Sequence, residues 1–381
     1  MRRKLLLLLE TGLVLAGLLL GASAWKIHSA LEQPLNITQE ELLDVPKGST
    51  PTRTFIGLET DGVIKDAFWL RVYWRFNLAG TPIHSGEYRM QPGMTVNGLI
   101  ESWKRGDVVQ YSLTLVEGWN FHQVRAALAK DDKIEQTLNG LSDSEAMEKI
   151  GHRGLFPEGR FFPDTYRFVR GVSDAELLKK SFERLDEVLA KEWEKRSADA
   201  PYKEPYQALI MASLVEKETG VPQERGEIAG VFVRRMALGM QLQTDPTVIY
   251  GLGDRYTGKL TRAHLKEPTA YNTYVIPGLP PTPIAMVGRE AIHAALNPVG
   301  GTSLYFVARG DGSHVFSDDL DAHNAAVREF QLKRRADYRS SPAPASEAAP
   351  AAQDPIPAAS PDTAPEQPAP EPEAAAPQNA Q

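Results

Sequence analysis

Hydrophobic positions fall into three regimes along the chain. From Leu5 to Ala24 they form an almost unbroken apolar run, long enough for a helix that crosses a bilayer, which takes roughly 20 residues. From about Pro46 to Tyr338 apolar and polar positions alternate at helical and strand spacings. From Ser340 onward the chain is mostly Ala, Pro, Glu and Gln with almost no large apolar side chain. Such a segment buries too little surface to offset its ordering entropy, so residues 339–381 are expected to be a disordered tail.

Within the middle regime, three stretches share a plan in which a turn glycine introduces an amphipathic run. They are Pro46-Lys47-Gly48-Ser49-Thr50, Gln91-Pro92-Gly93-Met94-Thr95 and Val116-Glu117-Gly118-Trp119-Asn120. After the second, Thr95 is placed to cap a helix whose apolar face is Val96, Leu99, Ile100 and Trp103. The aromatic and β-branched runs Phe68 to Phe76 and Val108 to Val116 read as strands between these helices. Further on, Ser173 caps a helix to about Lys191 with Leu177, Leu178, Phe182, Leu185 and Leu189 on one face. A second helix runs from Pro205, favoured in a first turn, to Gly220, favoured just past an end. A third spans Pro222 to Leu238 with Gly239 as its stop, and an apolar strand follows at Ser303 to Ala308. The expected fold class is therefore α+β: a cytoplasmic N-terminus 1–4, a transmembrane helix 5–25, a linker 26–45, a small α+β subdomain 46–150, an α+β domain 151–338 and the tail.

Arg2, Arg3 and Lys4 precede the apolar run, and positive flanks stay in the cytoplasm, so the body is expected outside that membrane. The competing reading is a cleaved leader, for which Ala22-Ser23-Ala24 has the small-residue pattern; the run is longer than the usual apolar core of such leaders. Net charge is -7, but residues 341–381 hold six acids and no Lys or Arg. The remainder is nearly neutral, with no basic footprint for nucleic acid. Cysteine is absent and the eight histidines are scattered, which excludes disulfides and thiolate chemistry and leaves no metal or cofactor site in view.

Candidate chemistry lies on the helix that begins at Pro205. At 100° per residue, Leu209, Ile210, Met211 and Leu214 define its apolar arc, and Glu216 falls at the edge beside Leu209. A carboxyl half withdrawn from water in that way acquires the raised pKa of a usable general acid. Glu218 projects near the arc too, and periodicity does not separate the two; either is also compatible with a surface glutamate near a helix end. Aromatic residues interleaved with polar ones follow in Phe156 to Tyr166, Leu242 to Tyr250 and Ala270 to Pro281. Rings beside amides and hydroxyls suit the apolar faces and polar edges of sugars.

The runs Ala212-Ser213-Leu214-Val215-Glu216-Lys217-Glu218-Thr219, Leu242-Gln243-Thr244-Asp245-Pro246-Thr247-Val248-Ile249-Tyr250-Gly251 and Tyr271-Asn272-Thr273-Tyr274 with Pro277-Gly278-Leu279-Pro280-Pro281 closely resemble the YceG-like endolytic murein transglycosylases. The segment Glu158 to Tyr166 fits as well. The resemblance implies a membrane-anchored lytic transglycosylase of the cell inner membrane with a periplasmic catalytic domain and a LysM-like glycan-binding part over 46–150. It implies cleavage between N-acetylmuramic acid and N-acetylglucosamine within nascent peptidoglycan strands, giving 1,6-anhydromuramyl ends and ending elongation. The family's essential glutamate maps to Glu216, with Glu218 as second choice. Ser213, Gln243, Thr244, Asp245, Tyr271, Asn272 and Glu158 are the supporting candidates. Peptidoglycan strands are the implied substrate and penicillin-binding synthases the implied partners, with no cofactor. Two other readings share these motifs, a hydrolytic muramidase and a noncatalytic wall-binding scaffold.

Overall fold

The computed structural model describes residues 2–332. The expected tail 339–381 and the last residues of the expected domain 151–338 lie outside the described residues. The apolar run forms α1 (Arg2–Glu32), a single helix of 31 residues. β1 (Glu41–Val45), α2 (Pro51–Thr60), α3 (Ala67–Asn77), β2 (Gly86–Met90) and α4 (Val96–Arg105) follow. β1 and β2 pair antiparallel with Leu43 opposite Tyr88, and α2, α3 and α4 bury Phe55, Leu70, Trp74, Leu99 and Trp103 against Tyr88. Gly48 and Gly93 take the positive φ values that the expected turns need, and the Thr50 and Thr95 hydroxyls then accept the N–H of Arg53 and of Gly98.

Two expectations are corrected in this region. Residues 26–45, expected as a linker, hold the last turns of α1 and the strand β1, because Ala30 and Leu35 are buried in the same core as Phe55 and Trp103. The run Phe68 to Phe76, expected as a strand, is α3. Its buried residues Ala67, Leu70 and Trp74 recur at helical spacing, and burial on that stripe overrides the strand preference of aromatic side chains.

β3 (Tyr111–Thr114), α5 (Phe121–Lys130), α6 (Asp143–Lys149), β4 (Thr165–Phe168) and α7 (Asp174–Glu194) come next. β3 pairs antiparallel with β4, Leu113 opposite Tyr166, and the two share a core with Phe121, Val124, Met147, Phe161, Phe182 and Met286. This core crosses the expected boundary at residue 150, since the partner of β3 arrives some fifty residues later. Capping boxes start α5 at Asn120 and α7 at Ser173.

The remaining elements are α8 (Pro205–Glu218), α9 (Arg225–Ala237, entered through a tight turn at Pro222–Glu224), α10 (Asp245–Leu252), α11 (Arg262–Lys266), α12 (Arg289–Leu296), β5 (Tyr305–Ala308), β6 (His314–Ser317) and α13 (Leu320–Val327). α8 is the axis of this part: every residue from Ala208 to Val215 is buried, with α7, α9, α10 and α12 packed around it. β5 and β6 form a hairpin with Phe306 opposite Phe316. Sequence reading missed β6 and α12, and in the aromatic stretch Phe156 to Tyr166 the rings of Phe161, Phe162 and Tyr166 are core while Phe156 is exposed.

Candidate active site

The last turn of α8 carries Glu216, Lys217 and Glu218. Two residues apart on a helix is a rotation of about 200°, so the two carboxyls leave α8 on opposite sides. Glu216 turns toward the loop before α12. Its Oε2 accepts the Gly288 N–H at 3.1 Å, its Oε1 lies 3.4 Å from the Arg225 guanidinium, and its side chain is only 6% exposed. Arg225 also reaches Glu117 at 3.7 Å. Burial raises the Glu216 pKa and Glu117 adds to this, while Arg225 and the Gly288 N–H oppose it. Close packing leaves little room here, because a Cβ at Gly288 would stand 1.9 Å from Glu117 Oε1.

Glu218 faces the other way, into a cleft of about 810 Å³. The cleft is lined by Lys217, Glu218, Gln243, Asp245 and Tyr274 together with Arg235, Tyr305, Phe306, His314 and His323. The Thr244 hydroxyl donates to Glu218. Burial pushes the Glu218 carboxyl up to about 7; the nearby Asp245 charge adds to this and the Thr244 bond opposes it. Glu218 is therefore a largely buried carboxyl with a raised pKa that borders the cleft, and a raised pKa is what a proton donor at neutral pH needs.

The segment before α10 is held in place by threonines. Gln243 adopts a positive φ of 55°, its N–H donates to the Thr273 carbonyl at 3.1 Å, and the Thr244 N–H donates to Thr273 Oγ1 at 3.0 Å. Thr247 Oγ1 lies 2.8 Å from the same Thr273 hydroxyl. These bonds fix the Thr244 hydroxyl against Glu218. Tyr274 donates to Asp245 at 2.7 Å, and burial beside that carboxylate holds its phenol protonated.

Several expected site residues make contacts that hold the surrounding elements together. Ser213 is fully buried; it donates to the Ile210 carbonyl at 2.7 Å and accepts the Ile284 N–H at 3.0 Å, tying α8 to the loop before α12. Asn272, also fully buried, donates to the carbonyls of His264, Leu265 and Glu267 and so closes α11 onto the loop that carries Thr273. Glu158 is 4% exposed and accepts the Phe121 N–H at the start of α5 and the Tyr250 hydroxyl at 3.1 Å. Burial lifts its carboxyl to about 7. Tyr271 packs on Tyr250 with ring centroids 4.7 Å apart and shares a hydroxyl contact with Thr282.

The part of the lining supplied by Arg235 and the β5–β6 hairpin was not legible in the sequence. His314 comes from β6; Glu224 takes its N–H at 2.8 Å and holds its Nδ1 at 2.7 Å, and Glu224 also accepts the hydroxyl of Thr219, the residue after Glu218. Arg235 spreads over the Tyr305 ring and donates to the carbonyls of Leu304 and Leu242. Among the described residues no group of three or more His, Asp or Glu is placed to hold a metal ion.

Residues 43–329 match the YceG-like family. A Bacillus subtilis protein called endolytic murein transglycosylase is 29% identical over 311 residues, which are 76% of this chain and 84% of that protein. A Streptococcus pneumoniae protein of the same name is 26% identical over 343 residues, covering 80% of this chain and 60% of the streptococcal one. The crystal structure of a yceG-like protein from Listeria monocytogenes is 28% identical with a TM-score of 0.49, over 75% of this chain and 98% of its own.

Proposed function

The chain belongs to the YceG-like family, and from that premise we propose that it is an endolytic murein transglycosylase whose acid and base is Glu218. The observation that carries this reading is the place of Glu218 on the polar cleft beside Thr244 and Asp245; burial raises the carboxyls of both Glu216 and Glu218, and only Glu218 borders that cleft. Glu216, the first choice from sequence, is turned to the opposite side of α8 and enclosed by Arg225 and Gly288. In that setting its carboxyl ties the end of α8 to the loop before α12 and to Arg225.

The reaction needs one carboxyl. Protonated Glu218 donates its proton to the oxygen that links N-acetylmuramic acid to N-acetylglucosamine, and the bond from the muramyl anomeric carbon to that oxygen breaks. The carboxylate then takes the proton of the muramyl 6-hydroxyl as its oxygen bonds to the same anomeric carbon. Ring closure is intramolecular, so positioning supplies much of the rate and neither a second carboxylate nor water is required. Gln243, Asp245 and Tyr274 stand where they would hold the N-acetyl and hydroxyl groups of the bound sugars.

The order β1, α2, α3, β2, with the two strands paired, supports a LysM-like glycan-binding role for the first module. α1, flanked by Arg2, Arg3 and Lys4, supports a single-pass anchor in the inner membrane with the body in the periplasm. There it would act on nascent strands beside the penicillin-binding synthases that extend them. The test is digestion of purified glycan by wild type, Glu218→Gln and Glu216→Gln, with product masses read out. Wild type leaves anhydro ends, Glu218→Gln loses about 10²-fold or more of the rate, and Glu216→Gln retains cleavage. Reducing ends, heavier by one water, would make the enzyme a hydrolase. Loss of activity in Glu216→Gln alone would return the role to that residue, and binding without any release would make the protein a scaffold.

A further inference from the structure

α3 leaves one face unpartnered. Phe68 is 60% exposed and Phe76 81% exposed, with Val72 half-buried and Arg71 and Arg75 exposed between them. Positions 68, 71, 72, 75 and 76 form one stripe of a helix. Neither arginine has an acidic or hydrogen-bonding side-chain partner among the described residues.

The place of this face along α1 gives it meaning. α3 and α4 pack against the C-terminal end of α1. The shielded positions of α1 are Ser23, Ile27, Ala30 and Leu31, a helical stripe that begins inside the apolar run ending at Ala24. Trp25, on the outer side, is exposed. From Ser23 to Ala30 the helix rises only about 10 Å, a few Å more than the roughly 5–8 Å headgroup layer beside the hydrocarbon core. The module is thus held at the height where α1 leaves the bilayer. A stripe of phenylalanines interleaved with unpaired arginines matches an interfacial helix, rings toward the acyl chains and guanidinium groups toward phosphates.

We propose that the Phe68, Arg71, Val72, Arg75 and Phe76 face of α3 lies on the outer leaflet and takes anionic phospholipid headgroups, so that α1 and α3 together fix the height and tilt of the first module above the bilayer. This rests on reading α1 as a membrane anchor. The chain has no cysteine, so single labels are unambiguous. The full-length protein is reconstituted in nanodiscs of phosphatidylethanolamine and phosphatidylglycerol, with a nitroxide at Phe76→Cys, Leu13→Cys or Lys191→Cys, and collision with a water-soluble nickel complex is measured. Leu13 reports the anchor, and Lys191, exposed on α7, reports open water.

Position 76 is expected to collide with nickel about fivefold less than position 191. Nickel access at 76 equal to that at 191, with Leu13 shielded, overturns the proposal and leaves the anchor standing. Access at Leu13 equal to that at 191 removes the anchor and the proposal with it. In the Phe76→Cys background, Arg71→Glu with Arg75→Glu, or discs without phosphatidylglycerol, should restore access. A label that stays shielded under both changes overturns the headgroup assignment.

Discussion

At the residue scale, one hydroxyl tunes the proposed acid. The Thr244 hydroxyl donates to the Glu218 carboxyl and stabilises its charged form, against the burial that lifts it to about 7. Donation to the glycosidic oxygen needs the protonated form, so cleavage is expected to fall as pH rises through about 7. Thr244→Val keeps the shape and removes the donor, which raises the pKa further. The descending limb of the rate profile should then move to higher pH; a shift to lower pH, or none, would show that Thr244 does not act on Glu218. Glu158 gives a stability counterpart. Its folded-state pKa of about 7 lies above the ordinary 4.5, so the folded state holds this proton more tightly than the unfolded chain. The stabilisation is complete below about pH 4.5 and is lost as pH rises toward 7, amounting to about 3 kcal/mol. Glu158→Gln cannot ionise, so thermal melts from pH 5 to 8 should show wild type losing stability relative to the variant. Parallel curves would mean that Glu158 titrates normally.

At the scale of elements, α7, α8 and α9 were legible because their apolar stripes and end signals agree: the Ser173 capping box, Pro205 at a helix start, and Gly239 with its positive φ at a stop. α3 was misread because five of its eleven residues are aromatic and only tertiary burial makes Ala67, Leu70 and Trp74 one face. β4 and β6 have four residues each, too few for a period to show. The choice between Glu216 and Glu218 was not legible either. Both flank the apolar arc of α8, and the arrival of Thr244 and of the β5–β6 hairpin places a cleft beside Glu218. The supply of that hairpin depends on a tight crossing in α9. A Cβ at Gly230 would stand 2.2 Å from the Val299 carbonyl oxygen, a backbone atom that cannot swing aside. Gly230→Ala should therefore cost about 2–3 kcal/mol despite the better helix propensity of alanine. It should also slow glycan cleavage by displacing the chain that leads into β5. A melting temperature equal to wild type would show that the 297–301 segment is free to move.

For the whole molecule, the question is whether anchor module and cleft fold as one body. The core around Phe55, Trp74, Tyr88 and Trp103 draws on residues 30–103, and no side chain in it belongs to the two cores farther along the chain. Val169 stands against Gly86 of β2, and polar contacts complete the junction between the first module and the next: the Tyr111 hydroxyl on Glu87, the Val109 N–H on the Glu87 carbonyl at 2.7 Å, and ion pairs from Glu87 to Arg170 and from Lys47 to Glu176. Ion pairs as exposed as the last contribute about 0–1 kcal/mol, too little to couple two cores strongly. Trp103 is fully buried and meets Phe55, Trp74 and Tyr88, so Trp103→Ala should cost about 3–5 kcal/mol. That loss should fall on the first module alone. In hydrogen exchange, the amides of β2 and α4 are expected to lose protection while those of α8 and α9 keep theirs, and a soluble glycan fragment should still be cut because the proposed acid Glu218 and the cleft beside it are untouched. Simultaneous loss of protection in α4 and α8 would mean that the polar contacts at Glu87 bind the two parts into a single cooperative unit.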